Sequence, residues 1–287
     1  MSYGPIKKPN FFLLGAAKSG TSTLYHCLKQ HPEIFMSTVK EPTFFNEGYQ
    51  QVTDPISYFA LFEGATTEKV LGEASHVYMS NPRVSPVLRG LFPDARFLVV
   101  LRNPAERAFS LYHHMRRHGH EYIGSFEAAL AAEDRRYASA RFRERCPQYF
   151  YNFMYFRSGE YGHQLQRYFE YFPKEQFHII RMDAMINNYE DTVRKIFQFL
   201  AIADDFIPEL KHKNAGDQTA RFASMQYFAT HKLGRTVIIR KAVRSLLKRI
   251  NLMPLPAMNP DTRGVLMERF ASDQQLLREL AGISFIS

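Results

Sequence analysis

Residues Phe11 to Leu24 read Phe-Phe-Leu-Leu-Gly-Ala-Ala-Lys-Ser-Gly-Thr-Ser-Thr-Leu, an apolar run that stops at a glycine-bounded loop and continues into a helical pattern. That order suits the holding of an anion. Glycine lets the backbone turn tightly and bring its N–H groups close to a ligand, and a helix start adds further N–H groups and the positive end of its dipole. Gly15 and Gly20 stand five apart, as in the Walker loop of nucleotide triphosphatases. In that loop a lysine directly follows the second glycine, and the next Ser or Thr holds magnesium. Here Lys18 lies inside the loop, and Thr21 and Ser22 follow Gly20. The expectation is a phosphate cradle made by Lys18, Ser19, Gly20, Thr21 and Ser22, binding its anion without a metal.

A second segment has matching chemistry. Ala95 to Leu101 reads as a strand and Arg102 ends it; Asn103, Pro104 and Glu106 then form a helix start with an N-cap, a first-turn proline and a capping-box acid. Ser110 lies two turns into that helix. Together, and in this order, the two segments resemble the sulfotransferases that use 3'-phosphoadenosine 5'-phosphosulfate (PAPS), the first matching their 5'-phosphosulfate loop. The resemblance implies that Arg102 and Ser110 hold the 3'-phosphate. A looser match, Lys211-His212-Lys213-Asn214-Ala215-Gly216 followed by Arg221, resembles the late basic loop over the 3'-phosphate and adenine, and makes Lys213 and Arg221 further cofactor candidates. The likeness extends over roughly residues 9 to 225.

Sulfuryl transfer needs a base facing the acceptor and cations at the leaving phosphate. Two bases are candidates. Glu41, in Lys40-Glu41-Pro42-Thr43-Phe44-Phe45, resembles the proposed base of heparan-sulfate-type sulfotransferases, and its flanking aromatics are expected to raise its pKa. His76, in Gly72-Glu73-Ala74-Ser75-His76, resembles the base of cytosolic phenol and steroid sulfotransferases. Glu41 is the first choice and His76 the second. Both subfamilies usually carry a lysine where this chain has Ala74, so Lys18 or Lys40 must stand in; Lys18 is the choice for stabilising the departing phosphate.

These residues require an α/β scaffold. Strands are expected at about 11–14, 34–36, 69–72, 97–101 and 177–180, with helices at about 21–30, 105–117, 161–172 and 190–200. The alternation predicts a parallel central sheet flanked by helices, a P-loop-like sulfotransferase fold in which ligands sit beyond the carboxyl ends of the strands. No linker-like composition interrupts the 287 residues, which read as one domain, 1–287.

Composition bounds the rest. Two cysteines, Cys27 and Cys146, read as free thiols in a reducing compartment. No leader or membrane-spanning run is apparent, so the expected location is cytoplasmic. A net charge of +9 favours anionic partners, and no nucleic-acid-binding signature accompanies it. The expected acceptor is a small-molecule natural product or a carbohydrate, attacking through a hydroxyl first and an amine second, with adenosine 3',5'-bisphosphate (PAP) as the other product. Oligomeric state is not readable. His113, His114, His118 and His120 cluster beside Arg116 and Arg117, which argues against a metal site. The aromatic run 149–156 reads equally as a pocket wall or as interior packing. Residues 231–250 carry seven Lys or Arg and no acid on a helical pattern that fits a docked helix with a solvated basic face, a partner site, a cover for the cofactor or a contact with an anionic membrane. The rival readings are a P-loop kinase-like phosphotransferase and a non-catalytic nucleotide-binding protein.

Overall fold

A computed structural model describes residues 6–210, 218–231 and 250–285. Lys213 and residues 232–249 of the basic stretch lie outside the described residues. The chain divides into two compact units: Met1–Arg102, Gly162–Lys213 and Leu276–Ile283 form the first, and Asn103–Tyr161, Asn214–Gln275 and Ser284–Ser287 the second.

The first unit is built on β1 (Phe11–Gly15), β2 (Ile34–Met36), β3 (Val70–Ala74), β4 (Arg96–Leu101) and β5 (Phe177–Arg181), a five-stranded sheet in the order β2-β3-β1-β4-β5. Every pairing in it is parallel. Parallel strands covered on both faces become continuous apolar runs, which is why Phe11 to Leu14 and Phe97 to Leu101 show no polar alternation. Successive side chains still point to opposite faces. Phe11 and Leu13 join Leu24, Leu28, Val193, Ile196 and Phe197 in one core, while Phe12 packs against Phe45, Phe92 and Phe97 on the other face. Four helices precede β4 or follow β1: α1 (Thr21–Leu28), α2 (Pro55–Ala60), α3 (Val77–Ser80) and α4 (Val84–Leu91).

In chain order the second unit then supplies α5 (Pro104–Arg117), α6 (Phe126–Ala131), α7 (Glu133–Ala138) and α8 (Ala140–Glu144). The chain continues through α9 (Tyr161–Phe169), α10 (Met182–Asn187) and α11 (Tyr189–Leu200), of which α11 covers the aliphatic face of the sheet. On the aromatic face Tyr168 and Phe172 pack against Phe97.

α5 starts as its sequence dictates. The Asn103 side chain accepts hydrogen bonds from the N–H groups of Ala105 and Glu106, and Pro104 occupies the first turn, where no N–H is needed. Its inner face packs Phe109, Tyr112 and Met115 against Phe126, Phe153, Tyr155 and Phe270. Within the 149–156 run, Tyr149, Phe150, Phe153, Met154 and Tyr155 are buried, so these five rings and chains serve interior packing. Beneath them the fully buried Glu121 accepts two hydrogen bonds from Arg136, at 2.7 and 2.9 Å, and one from the Tyr155 hydroxyl at 2.8 Å. The unit is completed by the antiparallel pair β6 (Gln218–Ala220) and β7 (Leu252–Pro254), with α12 (Ala223–His231), α13 (Pro260–Arg269) and the start of α14 (Ala271–Ala281), up to Gln275.

Candidate active site

The loop between β1 and α1 has the backbone an anion cradle requires. Gly15 has φ 140° and Gly20 φ 88°, both in the region that favours glycine. A Cβ on Gly20 would lie 3.0 Å from Met185 Cε, so the position also has little room for a side chain. Lys18 takes the left-handed conformation too, at φ 65°, although an L residue there carries a cost of ~1 kcal/mol. Strain of that kind persists where the surroundings over-determine it. The N–H of Ala16 donates to Val100 at 2.7 Å and ties the loop to β4. No side chain caps the start of α1, and its first turn holds no acid. Ser19 is fully buried, and its hydroxyl has no hydrogen-bond partner. A buried polar atom without a partner costs free energy, and an anion accepted in this loop would satisfy it.

Thr21 is buried at the start of α1 and Ser22 is exposed beside it. Arg102 leaves the carboxyl end of β4, the neighbour of β1 in the sheet, and is half-buried. Ser110 is half-buried on α5 in the second unit. Arg221 is exposed after β6; its N–H donates to Asn251 at 2.7 Å and its carbonyl accepts from Arg116.

The two alternative bases are bonded to each other. Glu41 Oε2 accepts from the backbone N–H of His76 at 2.9 Å and lies 2.8 Å from His76 Nδ1, while Oε1 pairs with Lys40 Nζ. The pair adjoins the cradle, since a Cβ on Gly15 would lie 3.3 Å from the His76 carbonyl oxygen. Burial pushes the Glu41 carboxyl up, as its aromatic neighbours suggested, but the charge and hydrogen bond of His76, followed by those of Lys40, outweigh it and hold the pKa at about 2. Glu41 also has φ 64° and Thr43 φ 51°, so the segment carrying the carboxylate is bent through two left-handed residues. Lys40 is engaged with Glu41, Ala74 is buried in the core, and Lys18 stands within the loop itself.

One residue escaped sequence reasoning. Glu73 is fully buried on β3, where it accepts from the Tyr58 hydroxyl at 2.6 Å and the Ser75 hydroxyl at 2.5 Å. Burial, opposed by hydrogen bonds from Ser75, Tyr58 and Tyr78, moves its pKa up to about 7. The only signal was an acid inside an otherwise apolar strand, Val-Leu-Gly-Glu-Ala.

Of the histidines weighed for metal binding, His113 is buried, with Nδ1 2.8 Å from Thr219 Oγ1, and burial together with nearby Arg116 lowers its pKa to about 4. Among the described residues no group of three or more His, Cys, Asp or Glu could hold a metal, and no helix is long and apolar enough to cross a membrane.

Comparison with known proteins bears on this arrangement. The chain is similar over 98% of its length, and 98% of the other's, to the sulfotransferase of Alicyclobacillus acidocaldarius, with a TM-score of 0.74 and 28% identity. The membrane-associated sulfotransferase kil1 of Dictyostelium discoideum is 35% identical over 106 residues, 37% of this chain and 22% of that one. The human bifunctional heparan sulfate N-deacetylase/N-sulfotransferase 2 is 29% identical over 204 residues, 68% of this chain and 22% of that one. The chain therefore spans about a fifth of the length of the curated relatives it matches. Residues 8–241, which include the cradle, the Glu41–His76 pair and Arg102, match the family described as the sulfotransferase domain, and the chain belongs to the sulfotransferase family.

Proposed function

We propose that this chain moves the sulfuryl group of PAPS, without a metal, to a hydroxyl, and less readily to an amine, of a small-molecule natural product or a carbohydrate. The observation that carries this reading is the cradle: an unpartnered buried hydroxyl, Ser19, between a strained Lys18 and a left-handed Gly20, at an uncapped helix start. Those residues fit a phosphosulfate. Lys18 inside the loop, with no lysine after Gly20, replaces the Lys-and-magnesium arrangement of a nucleotide triphosphatase. Arg102 is assigned to the 3'-phosphate, with Ser110, Lys213 and Arg221 retained from the sequence resemblance as further cofactor contacts.

When bound, PAPS supplies a sulfuryl group on a phosphate leaving group. Glu41, held near a pKa of 2, is ionised at neutral pH and only accepts hydrogen bonds, so His76 Nδ1 carries the hydrogen between them. With the hydrogen at Nδ1, the lone pair of an imidazole lies at Nε2. We assign to Nε2 the removal of the acceptor's proton and to Glu41 the orientation of the ring and the stabilisation of the imidazolium, which reverses the order of the two bases expected from sequence. Lys18 and the first N–H groups of α1 stabilise the charge that develops on the departing phosphate.

Calorimetric titration with PAP and with ADP, in the presence of chelator, tests the reading. PAP is expected to bind tightly through its 3'-phosphate. Lys18→Ala or Arg102→Ala each removes a charge-assisted contact worth ~1.5–3 kcal/mol, roughly a 10- to 150-fold loss of affinity. ADP binding as tightly as PAP, together with magnesium-dependent consumption of ATP, would replace the proposal with a phosphotransferase.

A further inference from the structure

The segment carrying Glu41 is held against 74–78 by alternate N–H groups. Glu41 donates to the Ala74 carbonyl at 2.9 Å, Thr43 to Ser75 Oγ at 3.1 Å and Phe45 to the Tyr78 hydroxyl oxygen at 3.3 Å. Two of these three acceptors are hydroxyls, and a hydroxyl accepts in a fixed direction only when its own hydrogen is committed elsewhere. Both are committed to the same carboxyl. Ser75 donates to Glu73 Oε1 at 2.5 Å, and Tyr78 is hydrogen-bonded to Glu73 as well. Glu73 is fully buried and has no Lys, Arg or His among its bonded partners, which are Tyr58, Ser75 and Tyr78. An acid placed so among hydroxyls acts as their common acceptor.

We propose that Glu73 is a positioning residue for the reaction: by fixing the direction of the Ser75 and Tyr78 hydroxyls it clamps the Thr43 and Phe45 amides, and so keeps the strained segment in the bend that presents the Glu41 carboxylate to His76. The bend needs such support, because Glu41 and Thr43 both occupy left-handed backbone that neither residue type favours. Glu73 itself touches neither His76 nor the cradle through any of those bonds, and its effect passes through the segment.

The kinetic arm of the test rests on the PAPS reading, and the exchange arm does not. Glu73→Gln keeps the shape but turns one acceptor oxygen into an NH2 donor, which must reverse one of the oriented hydroxyls. The expected results are hydrogen exchange at the Thr43 and Phe45 amides about tenfold faster than in the wild type, and kcat for PAP release from PAPS lowered about tenfold with KM for PAPS unchanged within about twofold. Tyr58→Phe removes a donor from Glu73 that holds no amide of the segment and keeps the ring that packs against Phe44 and Phe45, and is expected to lower Tm while leaving both readouts near wild type. Ser75→Ala removes a single clamp hydroxyl and serves if Glu73→Gln does not fold; it is expected to expose the Thr43 amide and lower kcat. Variants that lose Tm while the two amides stay as protected as the surrounding strand overturn the proposal, as does Tyr58→Phe matching Glu73→Gln in kcat. A wild type that releases no PAP from PAPS sinks the proposed function instead, and the amide exchange then judges the clamp alone.

Discussion

Replacing Glu41 with Gln separates the charge of the carboxylate from its shape. Glu41 is only 17% exposed and is bonded to His76 and Lys40, which bring its pKa from an ordinary 4.5 to about 2. At about 1.36 kcal/mol per pH unit, that difference is worth ~3 kcal/mol to the folded state when the group is ionised. The sign follows from the direction of the change. A carboxyl whose folded pKa is depressed contributes its stability fully above the unfolded value and loses it as pH falls through the folded one. The contribution is therefore complete above about pH 5 and fades towards pH 2. Urea unfolding of wild type and Glu41→Gln across this window measures it: the stability difference between the two proteins should shrink by ~3 kcal/mol from pH 5 to pH 2. Other carboxylates titrate in both proteins and cancel in the difference. A difference that stays constant over the window would show that His76 and Lys40 do not hold the carboxylate, and would remove the ground for assigning it the orientation of the imidazole.

Gly72→Ala should destabilise by ~1–3 kcal/mol by overpacking, because its Cβ would lie 2.8 Å from Phe11 Cδ1 and against Met36; shortening Met36 to Ala in the same chain should recover part of the loss in denaturant melts. Asn103→Ala, which removes the cap from α5, should cost ~1 kcal/mol, read as a shift of the unfolding midpoint at constant slope. Arg136→Met leaves the Glu121 carboxylate buried and unpaired and should cost ~3–5 kcal/mol, whereas adding Glu121→Gln should restore a large part of it, a double-mutant cycle that equal losses would refute.

The scaffold was legible because its signals are local. Continuous apolar runs marked β1 and β4, and Asn103-Pro104 marked the start of α5, all within a residue or two of their observed bounds. The glycines of the cradle could be read for the same reason, since only their backbone freedom is at issue. The meeting of Glu41 with His76 was not legible: the two stand 35 positions apart, and the approach depends on left-handed backbone at Glu41 and Thr43 that no glycine announces. The sense of the Glu41 pKa change was missed with it, because aromatic neighbours are visible in sequence and a folded-back imidazole is not.

The order of the strands also governs how the sheet can be assembled as the chain is made. β1, β3 and β4 lie within the first 101 residues, but the partner of β4 on its outer edge is β5, with Phe97 opposite Phe177. Until synthesis has passed Arg181, β4 exposes an unpaired row of N–H and C=O groups flanked by the apolar side chains of Phe97 to Leu101, the kind of edge that invites pairing with another chain. The intervening Asn103–Tyr161 segment, with α5 to α8, delays that closure by several seconds at ordinary elongation rates of about 5–20 residues per second. Yield of native protein should thus respond to chaperone supply and to translation speed across this stretch more than to changes after β5.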